Sequence, residues 1–287
     1  PALLAMPRLP GLGQLPGPAR RGTLSRAASA PPAVAAPPPP PWPRLLPLGD
    51  AAWTLQLGER IDADTHARVL GLLAQVQALR HTDPLLAPIT DLVPAFASIT
   101  VHFAPLTADA DAMGQRLLAL AGLAQRRSVR GRRWALPVCF DEDFAPDLRR
   151  VCELRQLTRS EVIHQLLGTT FRVCMLGFQP GFPYMGGLPP GLVTPRLPAP
   201  RQKVPAQSVA IALDMCSIYP WESPGGWNLL GRTPVVLFDT AQTEQPAMLA
   251  TGDEVCWTAV DRATHDRLAR EVAHGLPRET FLQGSST

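Results

Sequence analysis

The sequence predicts a small α+β domain followed by a β-rich domain that forms a barrel or a sandwich. Between residues 44 and 130, apolar residues alternate between strand spacing and helical spacing. From residue 171 onward the helical spacing disappears, and short apolar runs are separated by stretches rich in proline and glycine. The 287 residues, 46% of them hydrophobic, suffice for one large or two modest domains with real cores.

The first 43 residues differ in composition from everything after them. They hold 13 of the 33 prolines and four arginines but no acidic residue, so we expect a disordered extension over 1–43. Its run APPPPPWP favours a polyproline II helix, which we interpret as a spacer. Segments in this conformation also bind as ligands in aromatic grooves of other proteins. A start of this composition also resembles a transit peptide, and a mis-assigned start codon explains it equally well.

Charge and cysteine content exclude several function classes. Without the four arginines of the extension, the chain has 23 basic and 24 acidic residues, so we expect no nucleic-acid partner. The longest apolar stretches fall short of the roughly 18 residues that a membrane helix needs, so we expect no membrane segment and a cytoplasmic protein. The five cysteines have no C-x-x-C pair and no histidine at ligand spacing, which predicts free buried thiols and no metal.

Two strand–helix units are predicted in the domain over 44–130. Apolar residues alternate over 53–57 and again over 99–103, as in half-buried strands. Each strand is followed by helical spacing, over 69–76 and over 113–120. We therefore expect a small sheet with two helices packed on it.

A strand and two helices are predicted next, at the start of a domain over 131–260. The segment ALPVCF indicates a strand, and Leu148 and Val151 share one face of a following helix. Thr158 and Glu161 form a T-x-x-E capping box, in which each side chain satisfies an exposed backbone donor. This box places a short helix over 159–167.

The rest of that domain is predicted to consist of short strands. The apolar runs that indicate them are 171–176, 208–213, 235–239 and 254–260. After them, Asp261 is suited to cap a closing helix, and Gly275 is suited to end it in a left-handed conformation. We expect this helix and tail, residues 261–287, to pack outside the β-rich domain.

Three loop stretches contain the densest groups of rings, glycines and prolines. They are LGFQPGFPYMGGLP (176–189), PRLPAPRQKVPAQSVAIA (195–212) and IYPWESPGGWNLLGRTP (218–234). Prolines fix φ and glycines allow close backbone approach, so such loops are stiff mounts for a site. Their aromatic residues either line a ligand pocket or plug one end of the barrel; they are Phe178, Phe182, Tyr184, Tyr219, Trp221 and Trp227.

The same loops contain polar groups that suit an anion. Lys203 is the only lysine of the chain, and it lies near Arg196 and Arg201 in a proline-stiffened loop. The trio predicts either a carboxylate or phosphate site or ordinary surface charge. The Ser-Pro-Gly-Gly turn over 223–226 is either an anion-binding nest of backbone N–H groups or a purely structural turn. Motifs of stand-alone nucleotide-binding proteins, serine hydrolases and zinc enzymes are missing from the sequence.

These three stretches together resemble the allophanate hydrolase subunit 1 family. That family includes the B-type subunit of 5-oxoprolinase, the Kip-type inhibitors of sensor histidine kinases, and half of the urea carboxylase carboxyltransferase domain. The pattern is G-F-x-P-G-F-x-Y, then P-R-x-x-V-P-x-x-S-V, then I-Y-P…S-P-G-G-W…G-R-T-P, and the likeness extends over about 44–260. The resemblance implies an α+β amino-terminal domain followed by a cyclophilin-like closed β-barrel.

The resemblance also implies a function that this chain performs with others. It implies the B-type subunit of an ATP-dependent 5-oxoprolinase, an amide hydrolase that opens 5-oxoproline to glutamate. The implied partner is a related protein, either allophanate hydrolase subunit 2 or the C-type subunit of 5-oxoprolinase. ATP would enter through the complex, with no cofactor bound by this chain alone and no activity without the partners. The alternatives are a Kip-type kinase inhibitor and the carboxyltransferase half of a urea- or allophanate-type biotin enzyme.

The positions that match the family motifs give a set of candidate site residues in this chain. Arg201, Lys203 and Tyr219 are the candidates for catalysis, and no nucleophile or base is assigned among them. The candidates for binding a small carboxylate, a cyclic amide or the partner subunit are Phe178, Tyr184, Arg196, Ser223, Gly225, Gly226, Trp227 and Arg232.

The chain departs from the family pattern at several polar positions. Gln207 stands where members usually have glycine, and Met215, Cys216 and Ser217 stand where they usually have Q-T-G. A histidine expected near the end of a helix aligns with Leu166. If these positions bind ligand in the family, the substitutions remove donors and acceptors, which favours an altered activity or the kinase-inhibitor alternative.

Overall fold

The computed structural model of the chain describes residues 42–59, 62–124 and 131–283. The extension predicted over 1–43 lies outside these residues except for its last two. The first sheet is antiparallel, with the strand order β1-β2-β4-β3. Its strands are β1 (Arg44–Pro47), β2 (Ala52–Gln56), β3 (Ile89–Pro94) and β4 (Ser98–Phe103).

Two helices cover one face of this sheet. Helix α1 (Ala63–Leu79) begins at Asp62, whose carboxylate accepts from the Thr65 N–H at 2.8 Å. Helix α2 (Ala110–Leu123) begins in the same way at Asp109. The apolar positions that predicted these elements form one core between the helices and the sheet. The α+β part of the predicted fold is therefore confirmed.

The second sheet has seven strands in the order β12-β9-β10-β7-β6-β13-β5. Their bounds are β5 (Arg133–Val138), β6 (Phe171–Leu176), β7 (Pro183–Gly186), β9 (Ser208–Ala212), β10 (Met215–Ile218), β12 (Asn228–Arg232) and β13 (Glu254–Ala259). The two edge strands meet where Cys139 and Arg232 exchange backbone hydrogen bonds of 2.9 and 3.0 Å. This bridge closes the sheet into the predicted barrel.

Three helices accompany the barrel. Helix α3 (Leu148–Arg155) is followed by α4 (Arg159–Leu167), where both hydrogen bonds of the predicted Thr158–Glu161 capping box are present. Helix α5 (Arg262–Ala273) is capped by Asp261 and followed by Gly275 at a φ of +93°. These helix ends match the sequence predictions because capping depends on local chemistry.

The strand predicted over 235–239 is wrong. Val235 and Leu237 are buried in the barrel core, and Val236 between them is 41% exposed, which is the alternation that suggested a strand. The segment makes only an isolated bridge, between Phe238 and Ala247. The segment therefore packs on the barrel core without joining its sheet.

A two-stranded ribbon lies against the outside of the barrel. It consists of β8 (Arg201–Val204) and β11 (Ser223–Gly225), which pair antiparallel. Along β9, Val209 and Ile211 pack in the barrel core, whereas Ala210 and Ala212 pack in a separate cluster with Val204 of the ribbon. The barrel wall thus has an apolar outer face here, and the ribbon covers it.

Candidate functional site

Most of the predicted aromatic residues meet under this ribbon, on the outer face of the barrel wall. We call Phe182, Tyr184, Tyr219 and Trp227 the aromatic cluster. Phe182 is at its centre, with ring centroids 5.0 Å from Tyr184, 5.1 Å from Tyr219 and 6.1 Å from Trp227. The steep angles between the rings, 58° to 89°, suit the quadrupoles of edge-to-face pairs. The rings therefore neither plug the barrel end nor line an open mouth.

The chain's two tyrosines differ in burial within the cluster. Tyr219 is almost fully buried, and this burial raises the pKa of its phenol to about 12. Tyr184 is half-buried, and burial raises the pKa of its phenol as well. The positive charge of Arg196 opposes the pKa rise at both phenols, so this exposed side chain lies near both rings.

Gly225 allows the ribbon to approach the aromatic cluster. A Cβ at this position would overlap the Tyr219 hydroxyl and lie 2.8 Å from two carbons of its ring. The neighbouring Gly226 has more room, because its nearest heavy atom would be 3.6 Å from an added Cβ. Only the first of the two glycines is required by this close approach.

Arg201 is engaged in a structural ion pair. Its Nη2 donates to Asp147 Oδ1 at 2.7 Å, and the other oxygen of this buried carboxylate accepts from the Leu229 N–H at 2.7 Å. The pair ties the ribbon to β12 and to the start of α3. Arg201 Nη1 is buried and has no hydrogen-bond partner among the described residues.

Lys203 lies on the opposite side of the ribbon from the aromatic cluster. Its side chain is 79% exposed and forms a 3.1 Å ion pair with Glu222. Val204, the next residue, points into the cluster, as strand alternation requires. Lys203 therefore lies at the surface, away from Tyr219.

Phe178 extends the cluster to the surface, and Trp221 is a second exposed ring that packs on Phe238. Phe178 is 64% exposed, takes a left-handed φ of +68°, and packs edge-to-face on Phe182 with ring centroids 5.4 Å apart. Trp221 is 45% exposed and stacks on Phe238 at 6.1 Å. We call Phe178, Trp221, Val236 and Phe238 the aromatic rim.

Two of the predicted residues contribute in other ways. Ser223 is buried in the ribbon, and its hydroxyl has no hydrogen-bond partner among the described residues. Arg232 lies away from the aromatic cluster, where its guanidinium covers the ring of Phe144 at 4.4 Å. Burial and the neighbouring Arg262 lower the pKa of Arg232. The three loop stretches thus do not form a single site: most of their rings meet in the aromatic cluster, whereas Arg232 packs on Phe144.

Sequence reasoning missed two residues that complete the site. Asp147 is 54 positions from its partner Arg201, and Phe96 belongs to the turn between β3 and β4 in the other sheet. Phe96 packs edge-to-face on Tyr184 at 6.2 Å. Neither contact has a local signal, because each joins segments that only the folded chain brings together.

The departures from the family pattern have structural explanations. Leu166 and Cys216 are buried in the barrel core, and Met215 packs in the cluster under the ribbon. Gln207 takes a φ of +59°, a conformation that glycine adopts at least cost, which fits the glycine usual at this position. Ser217 is fully buried, and its hydroxyl has no partner within the described ranges.

Membrane and metal features are missing from the part of the chain that the structure describes. None of its helices is both long and apolar enough to cross a membrane. Among the same residues, no three histidine, cysteine or acidic side chains are grouped as metal ligands.

Comparison with known proteins assigns the family. The family model of the carboxyltransferase domain, subdomain C and D, matches residues 43–249. The chain is 33% identical over 238 residues to the B-type subunit of 5-oxoprolinase from Bacillus subtilis (strain 168), and the match covers 78% of this chain and 95% of that protein. The family model therefore includes the first sheet, the ribbon and the barrel strands from β5 to β12.

Solved structures share the architecture. TTHA0988 matches with a TM-score of 0.62 and 33% identity over 73% of this chain, which spans 40% of that longer protein. Urea carboxylase of Kluyveromyces lactis matches 79% of this chain with a TM-score of 0.68 and 20% identity, over 22% of its own length. The second likeness shows a common fold alone.

Proposed function

The chain belongs to the carboxyltransferase domain, subdomain C and D, family, and we propose that it is the B-type subunit of an ATP-dependent 5-oxoprolinase. In this function the complex opens the ring amide of 5-oxoproline to give glutamate. The observation that carries the proposal is the match to the B-type 5-oxoprolinase subunit at 33% identity over 95% of that protein. Of the three activities suggested by the resemblance, this is the one that the relative's name supports.

We further propose that the chain works with a partner that resembles the C-type subunit of 5-oxoprolinase. ATP would be bound by the complex, and we assign no cofactor to this chain alone. The aromatic rim supports the proposal, since exposed Phe178 and Trp221 are the side-chain types most often found at the energetic centre of interfaces. Lys203 and Glu222 lie beside Trp221 as polar groups for the edge of such a contact.

The predicted catalytic candidates are assigned different tasks in this proposal. Tyr219, with a pKa of about 12, stays protonated at neutral pH and is a hydrogen-bond donor rather than a base. Arg201 holds the ribbon in place through its ion pair with Asp147. Lys203 serves the partner contact, where its charge is close to solvent.

Reconstitution of the complex tests the function. We expect ATP hydrolysis that depends on 5-oxoproline when the chain is combined with its partner subunits, and none with the chain alone. Absence of turnover with every partner present would overturn the proposal. Direct association with the dimerisation domain of a histidine kinase would instead support the kinase-inhibitor alternative.

Substitutions in the aromatic rim test the partner surface. We expect Phe178→Ala together with Trp221→Ala to weaken association with the partner by about tenfold or more, because truncated aromatic anchors typically cost above about 1.4 kcal/mol. Leu106→Ala is the matched control, since Leu106 is 98% exposed on a different part of the chain. Equal affinities of the double variant and the control would remove the rim from the interface.

A further inference from the structure

A cavity of about 230 Å³ lies beside the aromatic cluster, between the first helix and the barrel wall. Its sides come from the start of α1, from Phe96 in the β3–β4 turn, and from the outer face of β6 and β7. Phe96 is shared, because its ring contacts Tyr184 of the cluster and also lines the cavity. Of the residues that line it, Gly186 and Gly187 belong to the first of the three loop stretches.

One side of the cavity presents a hydrogen-bond acceptor. His66 is buried, and its Nε2 lies 2.9 Å from the carbonyl oxygen of Cys174, so Nε2 carries the proton. Burial first and the charge of Arg172 second lower the pKa of His66, which keeps the imidazole neutral. Its Nδ1 is then a bare acceptor, and within the described ranges no donor bonds to it.

The cavity lining also includes a positive charge. Arg172 lines the cavity, and its Nη2 donates to Glu254 Oε1 at 3.0 Å. Its other N–H groups are left for a ligand. Asp62 is also at the wall, on the side of His66, and its carboxylate accepts from the backbone and hydroxyl of Thr65. The acceptors and the cation thus line the same small space.

The remaining lining of the cavity includes an aromatic ring and two glycines, whose missing side chains leave room for a ligand. Gly186 and Gly187 form part of the floor. A Cβ on Gly186 would lie 3.2 Å from the Cys174 sulfur, and Gly187 has a φ of +98° that other residues rarely adopt. The ring of Phe96 completes the wall. A flat, compact ligand with one donor and one anionic group fits this distribution.

We propose that this cavity binds the small cyclic amide on which the complex acts, with its ring N–H donating to His66 Nδ1 and its carboxylate on Arg172. The inference rests on the proposed function and places its substrate. At about 30 Å³ for each water-sized group, the volume holds roughly eight such groups, close to the size of a five-membered ring amide with one carboxylate, which has about nine non-hydrogen atoms. A pocket for a drug-sized ligand is larger, at about 300 Å³ or more.

Titration of the full chain with 5-oxoproline tests the cavity directly, by calorimetry or by chemical shifts. We expect binding by the wild-type chain and at least about tenfold weaker binding of 2-pyrrolidinone, which has the ring amide but no carboxylate. Arg172→Gln should weaken the affinity for 5-oxoproline to the affinity that the wild type has for 2-pyrrolidinone. Glu254→Gln is the matched control, because it breaks the same ion pair but keeps the cation, and it should bind at least as tightly as the wild type.

His66→Ala should also abolish binding, but it removes a buried hydrogen bond and can unfold the chain. Gly186→Ala keeps that bond and adds a methyl group to the floor, so it should reduce binding with little change in melting temperature. In the assembled complex, Arg172→Gln should raise the KM for 5-oxoproline about tenfold at a nearly unchanged kcat.

The outcomes separate the two proposals. Equal losses in Arg172→Gln and Glu254→Gln would show that the ion pair is merely structural and would overturn the cavity proposal. Normal KM in Arg172→Gln and Gly186→Ala, in a complex that turns over, would overturn it too and leave the proposed function intact. If Arg172→Gln loses 5-oxoproline binding but the wild-type complex shows no turnover, the cavity proposal stands and the proposed function is overturned.

Discussion

The ion pair between Asp147 and Arg201 determines whether the ribbon stays on the barrel. Asp147→Ala leaves the buried Leu229 N–H without its 2.7 Å acceptor, which costs about 1–3 kcal/mol. It also leaves the Arg201 guanidinium unpaired, and because that side chain is 30% exposed, this loss falls below the ~3–5 kcal/mol of a fully buried pair. We expect a total of about 3 kcal/mol. At ~2–4 °C per kcal/mol, the melting temperature falls by roughly 6–12 °C.

Urea unfolding at several wavelengths measures this loss. The matched control is Glu271→Ala, which breaks an exposed pair with Arg267 of the same 2.7 Å length and should cost less than about 0.5 kcal/mol. A loss for Asp147→Ala within about 0.5 kcal/mol of the control would refute the reasoning, with the comparison limited by ~10–15% extrapolation error. Lys203→Ala should leave stability unchanged, so any loss of activity in it reports on contacts at the surface.

Two of three further predictions concern the same part of the fold, and the third concerns the start of helix α4. Gly225→Ala should destabilise the chain by about 1–3 kcal/mol in thermal melts, because the methyl group overlaps Tyr219, and Tyr219→Phe should recover part of the loss. Absorbance titration of the phenolate should show Tyr219 ionising at about pH 12, a step that Tyr219→Phe removes. The native phenol holds its proton above the ordinary pKa of about 10, so stability should fall by up to about 1.4 kcal/mol per unit as pH rises from 10 to 12. Thr158→Ala should cost about 1 kcal/mol of unfolding free energy by removing one half of the capping box with Glu161.

The helices were predictable because their signals are local. The T-x-x-E pattern at Thr158 gives a helix start whatever surrounds it, and Asp261 with Gly275 gives both ends of α5. Strands with five or six alternating residues, such as β4 and β13, were predictable for the same reason. Sequence spacing alone therefore establishes most of the scaffold on which the site is built.

The arrangement of the site was not predictable, because it depends on contacts between distant segments. Strands β7, β8 and β11 have only three or four residues, too few for a periodic signal. The three loop stretches looked alike, yet Arg232 ends near Phe144 while its neighbours in sequence pack under the ribbon. The strand order decides which face of the barrel each loop covers. Residue spacing in a single sequence does not reveal that order.

The rings connect the proposed partner surface to the proposed cavity by direct contact. Phe178 at the aromatic rim packs on Phe182 at 5.4 Å, Phe182 on Tyr184 at 5.0 Å, and Tyr184 on Phe96 at 6.2 Å, where Phe96 lines the cavity. A substitution in the middle of this series disturbs both places, so a loss of activity in Phe182 variants assigns neither role. Residues at the two ends, Phe178 and Arg172, each contact only one place. Variants at these two positions therefore distinguish partner binding from substrate binding, which variants of the motif residues between them do not.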